Sequence, residues 1–206
     1  MQSKEHWDHV YSTRPIEAVS WFQEHAGVSL RLLRDTGVPC SAAIIDVGSG
    51  ASTLVGDLLD QGYSALTVLD LSAAALATAK ARLGPKANRV HWIEANITTA
   101  SLPPHAYDVW HDRAVFHFLT SQDERTAYVE TVFRSVKPGG HLIVATFAED
   151  GPTQCSGLPV MRYSADALYA QFSSAFTLLK HEREKHDTPS GAVQTFVYCY
   201  CRKIAS

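Results

Sequence analysis

The sequence has no excess of basic residues: its 206 residues carry 18 Lys and Arg against 21 Asp and Glu, a formal net charge of −3. A chain built chiefly to grip phosphate backbones shows the opposite balance, so nucleic acid is not an expected partner. No stretch approaches the ~20 uninterrupted apolar residues that span a bilayer, and no membrane partner is expected either. The opening residues, Met1 to His6, are polar and lack the apolar run of a secretory leader, so the expected location is the cytoplasm. Cysteine is sparse. Cys40, Cys155, Cys199 and Cys201 form no C-x-x-C pair. That speaks against a disulfide frame or a zinc site and fits reduced thiols, with Cys199 and Cys201 as small core residues. Internal repeats, low-complexity tracts and linkers are absent as well.

What is present is ordinary globular composition, 46% apolar and 19% charged. A chain of this length forms a core without covalent staples and fits a single domain. The expected domain covers 1–206, with an N-terminal helical cap over 1–38 and a core over 39–206. Short apolar runs at 42–47, 65–70, 89–94, 107–111 and 141–147 read as strands. Between them, 17–36, 52–62, 73–83, 122–136 and 164–174 read as helices, with Ser72 capping the third. Lys137-Pro138-Gly139-Gly140 reads as a turn. The runs 176–183 and 193–202 alternate and are joined by Thr188-Pro189-Ser190-Gly191, an antiparallel hairpin. This pattern predicts an α/β fold: a Rossmann-like, doubly wound, mostly parallel seven-stranded sheet with an antiparallel C-terminal hairpin. Ligands of such sheets sit at the carboxyl ends of the strands.

The first strand end reads Asp46-Val47-Gly48-Ser49-Gly50-Ala51-Ser52, and the second ends at Asp70. Gly48 and Gly50 permit a tight turn and close approach to a ligand. A carboxylate at position 70 suits a ribose diol. A dinucleotide fingerprint would place glycine where Thr53 stands. Asp46, two residues before the first glycine, suits a cationic amino group and would repel a pyrophosphate.

These residues resemble the class I S-adenosylmethionine-dependent methyltransferases. The resemblance covers about 40–202 and is carried by IIDVGSG, by Asp70-Leu71-Ser72, and by VKPGGHLIVATF. It implies S-adenosyl-L-methionine as cofactor, with Asp46, Gly48, Gly50, Asp70 and Leu71 among its contacts. Asn96 stands where the family commonly has an aspartate. The resemblance implies that its side-chain carbonyl accepts from the adenine amine while Ile97 covers the ring. The aromatic N-terminus, from Trp7 and Tyr11 to Trp21-Phe22, is similar to a subgroup that includes protein lysine methyltransferases. By that similarity Tyr11, Arg14 and Trp21 fold over the cofactor, Arg14 pairing with its carboxylate. The alternative is an amphipathic helix docking its aromatics on the sheet.

The fourth strand end reads His111-Asp112-Arg113-Ala114-Val115-Phe116-His117. His111, Asp112, Arg113 and His117 are the expected catalytic residues, with His111 or His117 as a base for an amine or hydroxyl and His111 also a cofactor contact. Their spacing does not suit a metal site. The subgroup's lysine methyltransferases carry a second acid where His117 stands, which weighs against a lysine acceptor. Phe116 and Cys155 are expected at the substrate. The expected activity is methyl transfer to a small-molecule thiol, amine or hydroxyl. The alternatives are a protein lysine methyltransferase, a nicotinamide oxidoreductase, or a non-catalytic cofactor-binding protein.

Overall fold

A computed structural model describes residues 4–50 and 52–205. Positions 1–3, 51 and 206 lie outside the described residues, so the expected cap begins at residue 4 and the glycine turn is described without position 51. The chain runs α1 (Lys4–Thr13), α2 (Gly27–Asp35), β1 (Ala43–Val47), α3 (Leu54–Asp60), β2 (Ala65–Asp70), α4 (Ala73–Leu83), β3 (Val90–Glu94) and β4 (Tyr107–Arg113). It continues through α5 (Gln122–Ser135), β5 (Val136–Phe147), β6 (Gln154–Cys155), β7 (Leu158–Pro159), α6 (Ala165–Ala170), β8 (Phe176–Asp187) and β9 (Val193–Lys203). Single 3-10 turns occupy Ile16–Ala18, Gly84–Arg89 and Phe116–Phe118.

The main sheet has seven strands in the order β3-β2-β1-β4-β5-β9-β8. β1 to β5 are parallel to one another, and β9 runs antiparallel to both β5 and β8. Alternate residues of one strand feed opposite faces. Ile44 joins a core with Leu33, Leu54, Leu58 and Leu76, whereas Ile45 and Val47 join one with Trp110, Tyr128, Val132 and Phe172. Burial on both faces is why β1 reads as a continuous apolar run. The sequence of connections reverses between β1 and β4, and the carboxyl ends there open a crevice.

Two expectations are corrected. The helix expected over 17–36 survives only as α2. Residues 19–26 leave helical geometry because their main chain is tied elsewhere. His186 Nε2 donates to Ser20 O at 2.7 Å, Arg113 Nη1 to Trp21 O at 3.3 Å, and Thr53 Oγ1 to Gln23 O at 3.2 Å. These tertiary bonds override a weak periodicity. The Lys137–Gly140 segment is not a separate turn. It lies within β5, whose pairing with β4 jumps from Tyr107–Val136 to Val109–His141, a bulge that absorbs the extra residues. The loop after β5 contains a small ribbon, β6 and β7, closed by Ser156 and Gly157, both with positive φ.

α4 and α5 begin as expected. Ser72 Oγ accepts from Ala75 N at 3.1 Å, and Ser121 with Glu124 forms a reciprocal capping box.

Candidate functional site

The carboxyl ends of β1, β2, β3 and β4, together with α1 and the Trp21 segment, wall a cleft of about 810 Å³, its mouth included. A second lobe adjoins it, walled by Asp46, Ser49, Phe22, Gln23 and His111. Trp21, Gly48 and Arg113 belong to both lobes.

The floor is the glycine turn. Gly48 and Gly50 adopt φ of +63° and +51°, which other residues rarely hold. Space is equally restrictive: a Cβ on Gly48 would lie 1.8 Å from Val115 Cγ2, and one on Gly50 2.2 Å from Tyr11 Oη. Asp70 secures the turn. Its Oδ2 accepts from Gly50 N and its Oδ1 from Ser72 N, each at 2.8 Å. Burial pushes the Asp70 carboxyl up to about 6, against the pull of these backbone donors.

Trp7, Tyr11 and Trp21 form the roof. Trp21 meets Trp7 and Tyr11 edge-on, at 5.8 and 6.2 Å between ring centroids, and Trp7 meets Phe118 at 5.2 Å. α1 is fastened there by Asp8, which accepts from Ser72 Oγ at 2.7 Å and from Ala74 N at 3.2 Å. Hydrogen bonds from Lys4 and Ser72 hold the Asp8 carboxyl down at about 2. Arg14 stands apart: it follows the end of α1, is exposed, and belongs to neither lobe's wall.

In the second lobe His111 Nδ1 donates to Asp46 Oδ1 at 2.7 Å, and His111 Nε2 lies 2.8 Å from Ser29 Oγ. Both ring nitrogens are therefore engaged. Asp46 Oδ2 is buried without a partner among the described residues. Arg113 reaches across both lobes. Its Nη2 contacts Glu184 Oε2 at 3.2 Å, its Nε donates to Tyr198 Oη at 3.0 Å, and its guanidinium lies 4.1 Å from the centre of the Phe196 ring.

Other expected catalytic groups lie elsewhere. Asp112 Oδ1 accepts from Val115 N at 2.9 Å, and Oδ2 from Phe116 N and the Tyr128 hydroxyl. Burial raises this carboxyl to about 6. It organises the bend after β4 rather than facing the cleft. Phe116 packs against Tyr128, Tyr163 and Phe172 in the core of the opposite face, so it is not a wall of the cleft. His117 is fully buried, and its Nδ1 accepts from Phe147 N at 3.3 Å. Desolvation lowers its pKa to about 3, with Arg113 adding to the effect. A histidine so placed remains neutral and takes up no proton at ordinary pH. The Asn96 carbonyl is also committed: Oδ1 accepts from Thr98 N at 3.0 Å and Thr98 Oγ1 at 2.9 Å. The expected acceptor is therefore already engaged by Thr98 in this structure.

Tyr11, Trp21, Gly48, Asp70, Leu71, Asn96, Ile97, Arg113 and Cys155 all meet in the main cleft. Ser29, Ala114, Phe118 and Glu124 join the site without having been singled out. Glu124 carried a signal, the S-x-x-E capping spacing with Ser121. Ser29, 82 positions from His111, carried none. Ala114 takes φ of +73° at the end of β4, a left-handed conformation of the sort concentrated at functional sites.

S-adenosylmethionine carries an ammonium, a carboxylate, a ribose and an adenine, and the residues present suit it. The unpartnered Asp46 oxygen offers an acceptor for the ammonium, Asp70 one for the ribose, and the Asn96–Thr98 corner a polar edge beside the apolar Ile97.

The family model described as "Methyltransferase domain" matches residues 44–140. An uncharacterized methyltransferase of Mycobacterium tuberculosis is 32% identical over 124 residues, 60% of each chain. The chain thus aligns with less than two thirds of that relative's length. The human EEF1A lysine methyltransferase 2 is 21% identical over 193 residues, covering 86% of this chain and 75% of that protein. Among solved structures, the 1,6-didemethyltoxoflavin-N1-methyltransferase of Burkholderia thailandensis, bound to its namesake substrate and S-adenosylhomocysteine, superposes with a TM-score of 0.69 at 19% identity. It covers 95% of this chain and 81% of its own. Sheet order, glycine turn and strand-end acids agree with these likenesses: residues 44–140 match a methyltransferase domain, on a fold shared with solved S-adenosylmethionine-dependent methyltransferases.

Proposed function

We propose that this protein transfers the methyl group of S-adenosylmethionine to a small-molecule nucleophile. The observation that carries the choice of a small acceptor is the roof. Trp7, Tyr11 and Trp21 meet over the glycine turn, and α1 is fastened by Asp8 to the start of α4. This favours a molecule that enters a covered cleft over a polypeptide laid along an open groove.

The cofactor supplies a methyl on a sulfonium, a donor that brings its own leaving group. Asp46 accepts a hydrogen bond from the ammonium, and His111, itself steadied by Ser29, fixes the Asp46 carboxylate. Asp70 holds the ribose and the glycine turn together. Asn96 and Ile97 take the adenine. The aromatic roof excludes water and sets acceptor and methyl in line. Orientation of this kind can supply roughly 7–11 kcal/mol in favourable cases.

Calorimetry is expected to show S-adenosylhomocysteine binding with no comparable signal from NAD; NAD binding alone would overturn the reading. Methyl-labelled cofactor incubated with a cell extract should label the small-molecule fraction. Label confined to protein would favour a lysine acceptor, which the human relative's name and the aromatic N-terminus also suggest.

A further inference from the structure

We propose that the acceptor is a small apolar thiol that reacts as its thiolate, readied by the buried guanidinium of Arg113 and not by a protein base. The inference rests on the methyltransferase reading and names the substrate class of the same site.

The cofactor groups identified above come from the ends of β1, β2 and β3. The walls left for an acceptor come from β4, from the segment beyond β5, and from the roof. They include Arg113, Phe118, Cys155, Trp7 and Trp21, with the smaller Ala114 and Val115 and the Glu124 side chain beside them. Phe118, Trp7 and Trp21 are aromatic and Cys155 bears sulfur, and aromatic surfaces make favourable contacts with a sulfur atom.

Arg113 is the cation of this end; the acid that also lines it, Glu124, is turned to Ser121 through Oε2. The side chains of Arg113 and Glu184 are each 9% exposed. Glu184 stands on β8 behind the cleft wall, while Arg113 is part of that wall. The pair therefore presents its positive end to the acceptor. One N–H each from Nε, Nη1 and Nη2 is committed to Tyr198, Trp21 and Glu184, and a guanidinium carries five. An anion is welcome beside it and an ammonium is repelled. Cationic surroundings of this kind favour thiolate over thiol.

The groups able to remove a proton are committed elsewhere. His111 is held at both nitrogens by Asp46 and Ser29. His117 uses Nδ1 on Phe147 N, so its neutral ring carries the proton on Nε2. Asp112 is occupied by three donors. Asp70 holds Gly50 and Ser72, and Glu124 holds Ser121 in the α5 cap. The Tyr11 hydroxyl lies against Gly50. Burial pushes the Cys155 thiol up to about 12, so it stays protonated and does not compete with the acceptor for the methyl group. An alcohol entering this cleft keeps its proton, and an alkylamine arrives as ammonium. A thiol, with a pKa of ~8.5, needs only the modest shift a nearby cation provides.

The step balances without a further reactant. The thiol proton passes to solvent as the acceptor binds. A thiolate lone pair then forms the new S–C bond while the methyl–sulfonium bond breaks, its electron pair staying on the departing sulfur. One negative and one positive charge become two neutral sulfides.

The test uses a matched series, phenylmethanethiol, phenylmethanol and phenylmethylamine. In the protein saturated with S-adenosylhomocysteine, calorimetry near pH 7 in two buffers of different ionisation enthalpy should show the thiol binding with proton release. With methyl-labelled cofactor at pH 8, transfer to the thiol should exceed transfer to the other two by at least roughly 100-fold, the scale of a missing general base. The pH at which the rate levels off should move with the acceptor when a more acidic thiol is used. The proposal is overturned by equal or faster transfer to the alcohol or amine, by thiol binding without proton release, or by an inflection that stays fixed whatever the thiol. S-adenosylhomocysteine binding with no transfer to the thiol also overturns it while leaving the methyltransferase reading intact. Failure to bind S-adenosylhomocysteine at all would defeat that reading instead.

Discussion

His111 Nδ1 lies 2.7 Å from Asp46 Oδ1, on adjacent strands where the two residues stand directly in register. The pairing makes His111 a positioning residue: it holds one oxygen of Asp46, while the other is buried at the wall of the second lobe with no hydrogen bond among the described residues. Asp46→Asn should weaken S-adenosylhomocysteine binding by about 10- to 100-fold, the scale of a hydrogen bond to a charged group, roughly 1.5–3 kcal/mol. His111→Ala should weaken binding by about 10-fold through the unsupported carboxylate, with kcat at saturating cofactor largely kept. Calorimetry and steady-state kinetics check both. A collapse of kcat with cofactor affinity intact would make His111 a base after all.

Asp70 ties cofactor affinity to pH. Its carboxyl is raised to about 6 by burial, so it is ionised above that pH and protonated below it. Because the folded value lies above that of a free aspartate, ionisation costs the fold some stability above pH 6. That cost is relieved as the pH falls through 6 toward about 4. Affinity runs the other way, since the ribose hydroxyls donate to the charged form. S-adenosylhomocysteine should bind roughly 10-fold more weakly at pH 5 than at pH 7.5. In Asp70→Asn the affinity should be low at both values and nearly flat between them. A wild-type affinity unchanged over that range would separate Asp70 from the ribose.

Much of this was legible in the sequence because it depends on local pattern. The boundaries of β2 and α4 follow from an apolar run ending in Asp70 and a serine cap on an alanine-rich stretch. The cofactor side of the cleft follows from strand ends, where topology alone brings Gly48, Asp70 and Asn96 together. What escaped depends on contacts remote in the chain. Nothing near Trp21 announces that its carbonyl will meet Arg113, and that bond helps hold residues 19–26 out of a helix. The cluster His111 to His117 looks like one catalytic group in the sequence, yet residues along β4 alternate between faces. His111 therefore points to the second lobe while Asp112 points to Tyr128 on the other side.

That division gives a test for Asp112, whose buried carboxylate unites Val115 N, Phe116 N and the Tyr128 hydroxyl. Removing the phenol in Tyr128→Phe takes away its hydrogen bond to a charged acceptor in a site closed to water, and with it the bond it accepts from Trp110 Nε1 at 3.0 Å. It should lower the free energy of unfolding by about 1.5–3 kcal/mol. Asp112→Ala should cost more, because three donors then lose their acceptor together. Urea denaturation measures both changes. Tyr128→Phe should leave S-adenosylhomocysteine affinity within about twofold of the parent, since Tyr128 lies across the sheet from the cleft and its contact with Asp112 serves the bend after β4. The outcome that would return Asp112 to the reacting atoms is specific: unfolding energies close to the parent's in both variants, together with loss of turnover in Asp112→Ala.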